Sequence, residues 1–124
     1  MSFCTAINCM DGRVQSPVSD YLRSHFGVAY VDTVTEPGPN AILANGTDAT
    51  AIASIVRRVD ISVTKHGSVG IAIVGHDDCA GNPVTKDEQE RHTRGAMAWA
   101  RGNYPAVPVI GLWVELDGTV NSLD

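Results

Sequence analysis

The sequence predicts an α/β fold, with a mostly parallel four-stranded sheet, an extra edge strand and helices on both faces. Short apolar runs rich in Val and Ile alternate with segments of helical spacing, which is typical of parallel strands joined by right-handed crossovers. Aromatic residues make up only 6% of the chain, so the core has to be built from small aliphatic residues, as in buried parallel strands. The 124 residues, 44% of them hydrophobic, suit a single domain spanning 1–124.

Five segments have strand character. The expected strands lie at residues 2–8, 28–34, 69–74 and 107–116, with a short antiparallel return at 119–123. Asp117-Gly118 is a typical hairpin turn and separates the last two strands. In the second strand, Val28 and Tyr30 are expected to face the core, with Val31 as a further candidate.

The helices are predicted from their start and stop signals. Ser16 as N-cap and Pro17 at the first helical position predict a helix that ends just before Gly27. Thr47 is expected to cap a second helix over residues 48–66, where apolar residues repeat at three-to-four spacing. We further expect a polar helix at 86–103, a rigid proline-containing loop at 36–40, and a short turn or helical piece at 41–46.

Composition and charge exclude several classes of function. The formal net charge is -5 and the basic residues are scattered, which argues against a nucleic-acid partner. No apolar run approaches a membrane span and no targeting segment is visible, so we expect a cytoplasmic protein without a membrane partner. No GxGxxG or GxxxxGK stretch follows the first strand, which disfavours a nucleotide-binding domain.

The three cysteines are too few for a disulfide framework, and in a reducing compartment they are more often metal ligands, nucleophiles or core residues. Cys9 follows the first strand, and His76 and Cys79 follow the third at a spacing of three. Two thiolates and an imidazole, with a fourth position left, form a tetrahedral set that suits Zn²⁺. We therefore predict a zinc site of Cys9, His76 and Cys79, with Cys4 as a core residue.

Asp11 and Arg13 lie next to the first predicted ligand, and we expect both to take part in catalysis. Two roles for the carboxylate stay open. Asp11 either accepts a hydrogen bond from a zinc-bound water while Arg13 holds it in place, or it takes the fourth coordination position itself. The second arrangement leaves no water to activate, so a change between the two would switch the activity off and on.

These motifs resemble those of a known family. Cys9-Met10-Asp11-Gly12-Arg13 resembles the CxDxR motif of the β-class carbonic anhydrases, and His76-Asp77-Asp78-Cys79 resembles their HxxC motif. Residues 69–76 and 109–114 are similar to their strand before the second motif and to their last central strand, so that the resemblance runs from about residue 3 to 120.

The resemblance implies reversible hydration of CO₂ to bicarbonate by zinc-bound hydroxide, with Asp11 and Arg13 as the dyad. It also implies a homodimer or higher homo-oligomer, with the pocket built partly by the neighbouring subunit. The chain departs from the family at 35–40, where an Arg-Asn-Ala-Gly stretch is usual and Thr35-Glu36-Pro37-Gly38-Pro39-Asn40 stands instead. This departure predicts a different substrate-side wall that carries an acid, Glu36.

Three alternatives remain at this point. The first is hydrolysis of a related linear substrate, carbonyl sulfide or carbon disulfide. The second is a catalytically silent zinc-binding module in which Asp11 closes the metal site, and the third is a thiol redox protein that pairs Cys9 with Cys79. A proton relay is not assigned, because His25, His66 and His92 all lie on predicted helices.

Overall fold

The computed structural model describes residues 2–123, and its element order confirms the predicted fold class. The strands are β1 (Phe3–Cys9), β2 (Tyr30–Glu36), β3 (Ile71–His76), β4 (Val109–Val114) and β5 (Val120–Ser122). The helices are α1 (Gln15–Phe26), α2 (Pro39–Asn45), α3 (Ala49–Asp60) and α4 (Lys86–Asn103), with a 3-10 turn at Gly12–Val14 and a π-helical turn at Ile61–Lys65. None of the helices within residues 2–123 has the length and apolarity needed to cross a membrane.

The sheet has the strand order β2-β1-β3-β4-β5, in which only β5 is antiparallel to its neighbour. Helix α1 packs on one face through apolar residues such as Val18 and Leu22. Helices α2, α3 and α4 cover the other face, where Leu43, Ile55 and Met97 are buried. The sheet therefore has helices on both faces, and its central strands are buried on both sides.

Several predicted boundaries are wrong, for local reasons. Ser16 is not the N-cap, because the 3-10 turn after Asp11 continues directly into α1 at Gln15. Strand β2 begins at Tyr30 rather than at residue 28, because the Val28 N–H bonds the Arg23 carbonyl in the turn that ends α1. Strand β3 likewise begins two residues later than predicted and extends as far as His76, so the site residues start directly at the strand end.

The other differences concern β2 and the helices that follow it. Tyr30 is 47% exposed because β2 is the edge strand, although Val28 is buried as expected. Helix α2 begins at Pro39, inside the predicted loop, and includes the segment whose conformation was left open. Asp48 rather than Thr47 caps α3, through a hydrogen bond from the Ala51 N–H. The polar helix α4, the hairpin and β5 agree with the prediction.

Candidate metal centre

The strand order brings the two cysteine-bearing loops together. Strands β1 and β3 are parallel neighbours, with Thr5 beside Ile71 and Ile7 beside Ile73. Cys9 and His76 are the last residues of these strands, and Cys79 follows three positions after His76. Because parallel strands end at the same edge of a sheet, the residues of both motifs lie at one carboxyl edge, where open α/β sheets bind ligands.

The structure brings the three predicted ligand side chains into one cluster. Their ligand atoms all lie within 4.8 Å of one another, and each of the three residues is at least 95% buried. The Sγ atoms of Cys9 and Cys79 are 3.9 Å apart, and within residues 2–123 all three cysteines are free thiols. Cys4 is fully buried in the apolar core, as predicted, and burial raises the pKa of its thiol to about 11.

His76 provides the clearest test of whether a metal fits this cluster. Its Nδ1 lies 2.8 Å from the Asp77 carbonyl oxygen, which requires Nδ1 to carry a proton, so Nε2 is the ring nitrogen that is available to a metal. Nε2 is buried and has no hydrogen-bond partner among the described residues. A buried acceptor without a partner is costly unless something binds it.

The sulfur geometry agrees with the same occupant. Two thiolates on a tetrahedral Zn²⁺ at the usual Zn–S length lie about 3.8 Å apart. The Sγ atoms of Cys9 and Cys79 stand 3.9 Å apart. Two soft sulfurs and an imidazole also form a donor set that prefers zinc to magnesium or calcium. The three residues therefore fit a zinc ion.

The electrostatics of the cluster favour one thiolate. Burial opposes ionisation of Cys9, but the neighbouring His76 and the backbone N–H of Gly38 lower its pKa to about 7. Burial and the charge on Cys9 raise the pKa of Cys79. Burial disfavours a charged His76, yet the Cys9 sulfur and the Asp77 carbonyl raise its pKa overall. In the metal-free chain Cys9 is thus the first of the two thiols to ionise.

Asp11 and Arg13 form the expected pair next to the cluster. The Arg13 guanidinium donates to both carboxylate oxygens, from Nη2 to Oδ2 at 2.7 Å and from Nε to Oδ1 at 3.0 Å. The hydrogen bonds from Arg13 lower the pKa of Asp11 to about 2, so the carboxylate is ionised at neutral pH. In this arrangement both of its oxygens are already hydrogen-bonded, and the clustered ligand atoms are those of Cys9, His76 and Cys79.

Arg13 also joins the two loops of the site. Its Nη1 lies 3.2 Å from Oδ2 of Asp78, and its Nη2 lies 3.0 Å from the Asp78 carbonyl oxygen. Asp78 has a positive φ of 56°, which turns its carbonyl toward this guanidinium. Gln15 holds the first loop from the other side, because its Nε2 donates to the carbonyls of Cys9 and Asp11 at 2.7 and 2.9 Å.

A cavity of about 220 Å³ opens beside the cluster. Its walls are formed by Cys9, Met10, Asp11, Pro37, Ala80 and Gly81. The prediction that Glu36 gives the site an acidic wall is wrong, because its carboxylate pairs with Arg58 of α3 at 2.5 Å. Pro37 does line the cavity, so the divergent segment reaches the site with its proline and not with its acid.

The three histidines of the predicted helices have partners of their own, and His66 lies just after the π-helical turn Ile61–Lys65 rather than inside a helix. His25 stacks on Tyr21, and His66 pairs with Asp32 through Nδ1 at 2.6 Å. His92 lies on α4, where its Nδ1 is 3.0 Å from Nδ2 of Asn82. These contacts account for the placement of each ring.

Sequence reasoning missed a buried polar cluster behind the second loop. Its members are Asn40, Asn82, Gln89 and Thr93, all at least 95% buried. One signal could have found two of them: Gln89 and Thr93 precede Ala96, Met97 and Ala100 on the same face of α4, so two polar residues extend an apolar stripe. No signal in the sequence relates Asn40 and Asn82, since they lie on separate segments.

Comparison with solved structures defines the class of fold. A carbonic anhydrase from Streptococcus mutans is 18% identical, with a TM-score of 0.67, and the match covers 98% of this chain and 81% of that one. A β-carbonic anhydrase from Aspergillus fumigatus is 15% identical, with a TM-score of 0.64 and coverages of 98% and 74%. A tetrameric β-carbonic anhydrase from Sordaria macrospora is 16% identical, with a TM-score of 0.51 and coverages of 97% and 79%.

These structures show that the fold is that of the β-carbonic anhydrases. At the level of sequence, residues 1–124 match the family described as "Putative carbonic anhydrase". The chain belongs to this carbonic anhydrase family. None of the curated protein sequences compared with the chain matches it.

Proposed function

We propose that this protein is a zinc-dependent carbonic anhydrase, which hydrates CO₂ reversibly to bicarbonate and a proton within a single domain over residues 1–124. The observation that carries the proposal is the buried Nε2 of His76, which has no hydrogen-bond partner within residues 2–123 and lies beside two free thiols, in a chain of the carbonic anhydrase family. Cys9, His76 and Cys79 would hold the metal. Zn²⁺ bound by such ligands supplies the ability to ionise water near neutral pH.

Asp11 would orient the attacking water. Its carboxylate lines the cavity and is ionised at neutral pH, so it can only accept hydrogen bonds. Arg13 fixes the carboxylate through a bidentate contact and keeps it charged. This pairing supports the open form of the site over the form in which Asp11 is the fourth ligand.

The cavity supports a small neutral substrate. Met10, Pro37 and Ala80 contribute apolar surface, and Asp11 is the charged residue among the lining residues. The apolar part of this wall suits a small neutral molecule such as CO₂. Carbonyl sulfide and carbon disulfide have the same linear shape as CO₂, so both should be assayed as alternative substrates.

The proposal extends to assembly and compartment. A homodimer or higher homo-oligomer is supported by the Sordaria macrospora relative, whose structure is described as tetrameric. Two thiols that serve as metal ligands and a third in the core are best preserved in a reducing compartment, which supports a cytoplasmic location.

The test combines metal analysis with stopped-flow CO₂ hydration over a range of pH. We expect about one zinc per chain and hydration activity that is lost on chelation and restored by Zn²⁺. Cys9→Ser should lose both metal and activity, whereas Cys4→Ala changes a buried thiol of the same strand and should retain both. Full hydration activity in a metal-free preparation would disprove the proposal, and bound zinc without turnover at any pH would favour the silent module.

A further inference from the structure

The polar cluster behind the site consists of Asn40, Asn82, Gln89 and Thr93, and is called the amide cluster below. Asn40 Nδ2 donates to Gln89 Oε1 at 2.8 Å and to Thr93 Oγ1 at 3.1 Å. Gln89 Nε2 donates to the Asn82 carbonyl at 2.8 Å, and Asn82 Nδ2 donates to Asn40 Oδ1 at 3.3 Å. The hydrogen bonds therefore link the start of α2, the loop after β3 and the first turns of α4.

The amide cluster acts directly on the loop that carries Cys79. The backbone N–H groups of Gly81 and Asn82 act on the Cys79 thiol, where they lower its pKa against the burial that raises it. The carbonyl of Asn82 accepts from Gln89 Nε2 and from the Val84 N–H, and the Asn82 side chain donates to Asn40, so the position of this residue is set by both α2 and α4. Removing the Gln89 amide would take away the contact that ties Asn82 to α4, without touching any ligand.

The same cluster reaches the other thiol through Gly38. The Gly38 N–H acts on the Cys9 thiol by lowering its pKa, and the φ of 63° at Gly38 lies in the region that favours glycine. A Cβ at Gly38 would lie 2.8 Å from the Asn82 Cβ, so the two backbones are in close contact. Asn40 follows two residues later and accepts a hydrogen bond from Asn82, which fixes the spacing of the two segments that contain Gly38 and Asn82.

The cluster also packs against the strand that ends in His76. A Cβ at Gly75 would lie 2.7 Å from Thr93 Oγ1 and 3.1 Å from Asn40 Nδ2. The glycine is therefore required by the polar atoms behind it. All three ligand-bearing segments thus have the amide cluster, or a residue in contact with it, on their inner side.

We infer that Asn40, Asn82, Gln89 and Thr93 are positioning residues for the metal centre, which hold the loop after Cys79 against the end of the strand that carries His76 before any metal binds. This inference rests on the proposed zinc site. Hydrogen bonds from outside the coordination shell orient ligands and stabilise thiolates, and their removal typically weakens metal binding by about 10- to 100-fold. The stability of the chain alone would not show this role, since any buried hydrogen bond stabilises a fold.

The test uses Gln89→Met, a substitution of similar volume that removes both the donor to Asn82 and the acceptor for Asn40. Zinc affinity is measured by competition with a chelator, and the coordination by the absorption spectrum of the Co²⁺-loaded full chain. We expect Gln89→Met to bind Zn²⁺ about 10- to 100-fold more weakly than the wild type, with altered thiolate-to-cobalt absorption bands. Activity is not needed for either measurement.

The matched control is Thr5→Val, which removes the central hydroxyl of another buried polar group on the same face of the sheet. Thr5 Oγ1 contacts Ser62 Oγ at 2.6 Å and Ser68 Oγ at 2.7 Å, away from the carboxyl edge. Thr5→Val should lose stability in urea but keep its zinc affinity within about twofold, since it alters none of the contacts to the ligand-bearing loops.

The outcomes separate the two proposals. A wild-type chain that binds neither Zn²⁺ nor Co²⁺ overturns the metal site and with it this inference. A wild-type chain that binds metal, together with a Gln89→Met variant of unchanged affinity and spectrum, overturns the positioning role alone, as does an equal loss in Thr5→Val. If Gln89→Met does not fold, Thr93→Val decides: it removes one hydrogen bond to Asn40, and a loss of at least threefold supports the inference, whereas unchanged affinity overturns it.

Discussion

Two buried polar groups lie near opposite ends of the same sheet, and they differ in one respect. Toward the amino ends of the strands, Thr5 bonds Ser62 and Ser68, and Ser68 in turn bonds the Gly70 carbonyl at 2.9 Å. At the carboxyl edge, the Cys-His-Cys cluster is just as buried, yet His76 Nε2 has no partner among residues 2–123. The hydroxyls of the first group are satisfied within the chain, whereas the second group leaves one acceptor without a partner among the described residues.

The contrast shows why burial alone does not identify a functional site. Hydroxyls can donate and accept, so three of them satisfy one another in a short chain. Two sulfurs and one imidazole cannot do so as well, because the thiol is a weak donor and the ring offers only one lone pair. A soft cation can bind both sulfurs and the imidazole nitrogen at once. Five experiments test this contrast, in order from the largest expected effect to the smallest.

The largest effect is expected for His76→Ala, which removes the unpartnered nitrogen. Zinc affinity should fall by about 10³-fold or more, since the binding free energy of such sites is shared among few ligands. Metal content after dialysis and CO₂ hydration should fall together. Added imidazole, which can occupy the space left by the side chain, should restore part of the metal binding. Unchanged zinc content in His76→Ala would remove the distinction between the two polar groups.

The thiols of the metal-free chain should differ strongly in reactivity. Because the Cys9 pKa is about 7 and the Cys4 pKa about 11, alkylation should begin at Cys9 near neutral pH and spare Cys4. The rate at Cys9 should rise as the pH passes through about 7, since the thiolate is the nucleophile. Peptide mass spectrometry after iodoacetamide treatment measures this order of labelling. Added Zn²⁺ should protect Cys9 from alkylation. Preferential labelling of Cys4 would contradict the assignment.

Arg13→Met should weaken activity by about 10- to 100-fold, because Asp11 loses the partner that orients it. The pKa of the Asp11 carboxyl, which is about 2 in the wild type, should rise toward its ordinary value of 3.8. A carboxyl group whose pKa is lower in the folded than in the unfolded chain stabilises the fold when the pH is above the unfolded pKa. This contribution to stability is lost as the pH falls from about 4 to 2. The variant should therefore show a smaller loss of stability than the wild type over this interval. Arg23→Met, at a helical ion pair with Asp20, is the control that should leave activity unchanged.

Thr5→Val should destabilise the chain by about 1–3 kcal/mol, because the Ser62 and Ser68 hydroxyls lose a buried partner. The urea midpoint should fall, while zinc content and CO₂ hydration per folded chain stay the same. A loss of zinc in this variant would mean that the two polar groups are coupled through the sheet.

The smallest effect is expected for Glu36→Gln. Its carboxylate pairs with Arg58 and has partial solvent exposure, so its removal should cost no more than about 1 kcal/mol. Hydration activity should change less than twofold, because Pro37 and not Glu36 lines the cavity. A large loss of activity in Glu36→Gln would show instead that Glu36 contributes to the wall of the site, as its position in the sequence suggests.

The sequence was most informative where chemistry depends on short-range spacing. Cys9, Asp11 and Arg13 alternate after one strand, and His76 and Cys79 are three apart after another, so residue types and strand ends were enough to predict the cluster. The sequence was least informative about the direction of the Glu36 side chain and about the residues at which the strands begin. A side chain at a strand end can turn toward either neighbour, and only the packed α3 with Arg58 decides which.

By itself the sequence determined the α/β class, the helices on both faces, the core position of Cys4 and the residues of the candidate metal centre. These follow from periodicity, breakers and donor chemistry, which act over a few residues. The tertiary structure alone decided which strands are neighbours, that Arg13 joins Asp11 to Asp78, and that Asn40 and Asn82 meet behind the sulfurs. Such contacts join segments up to 65 residues apart, and their energies depend on a burial and a geometry that exist only after the sheet has formed.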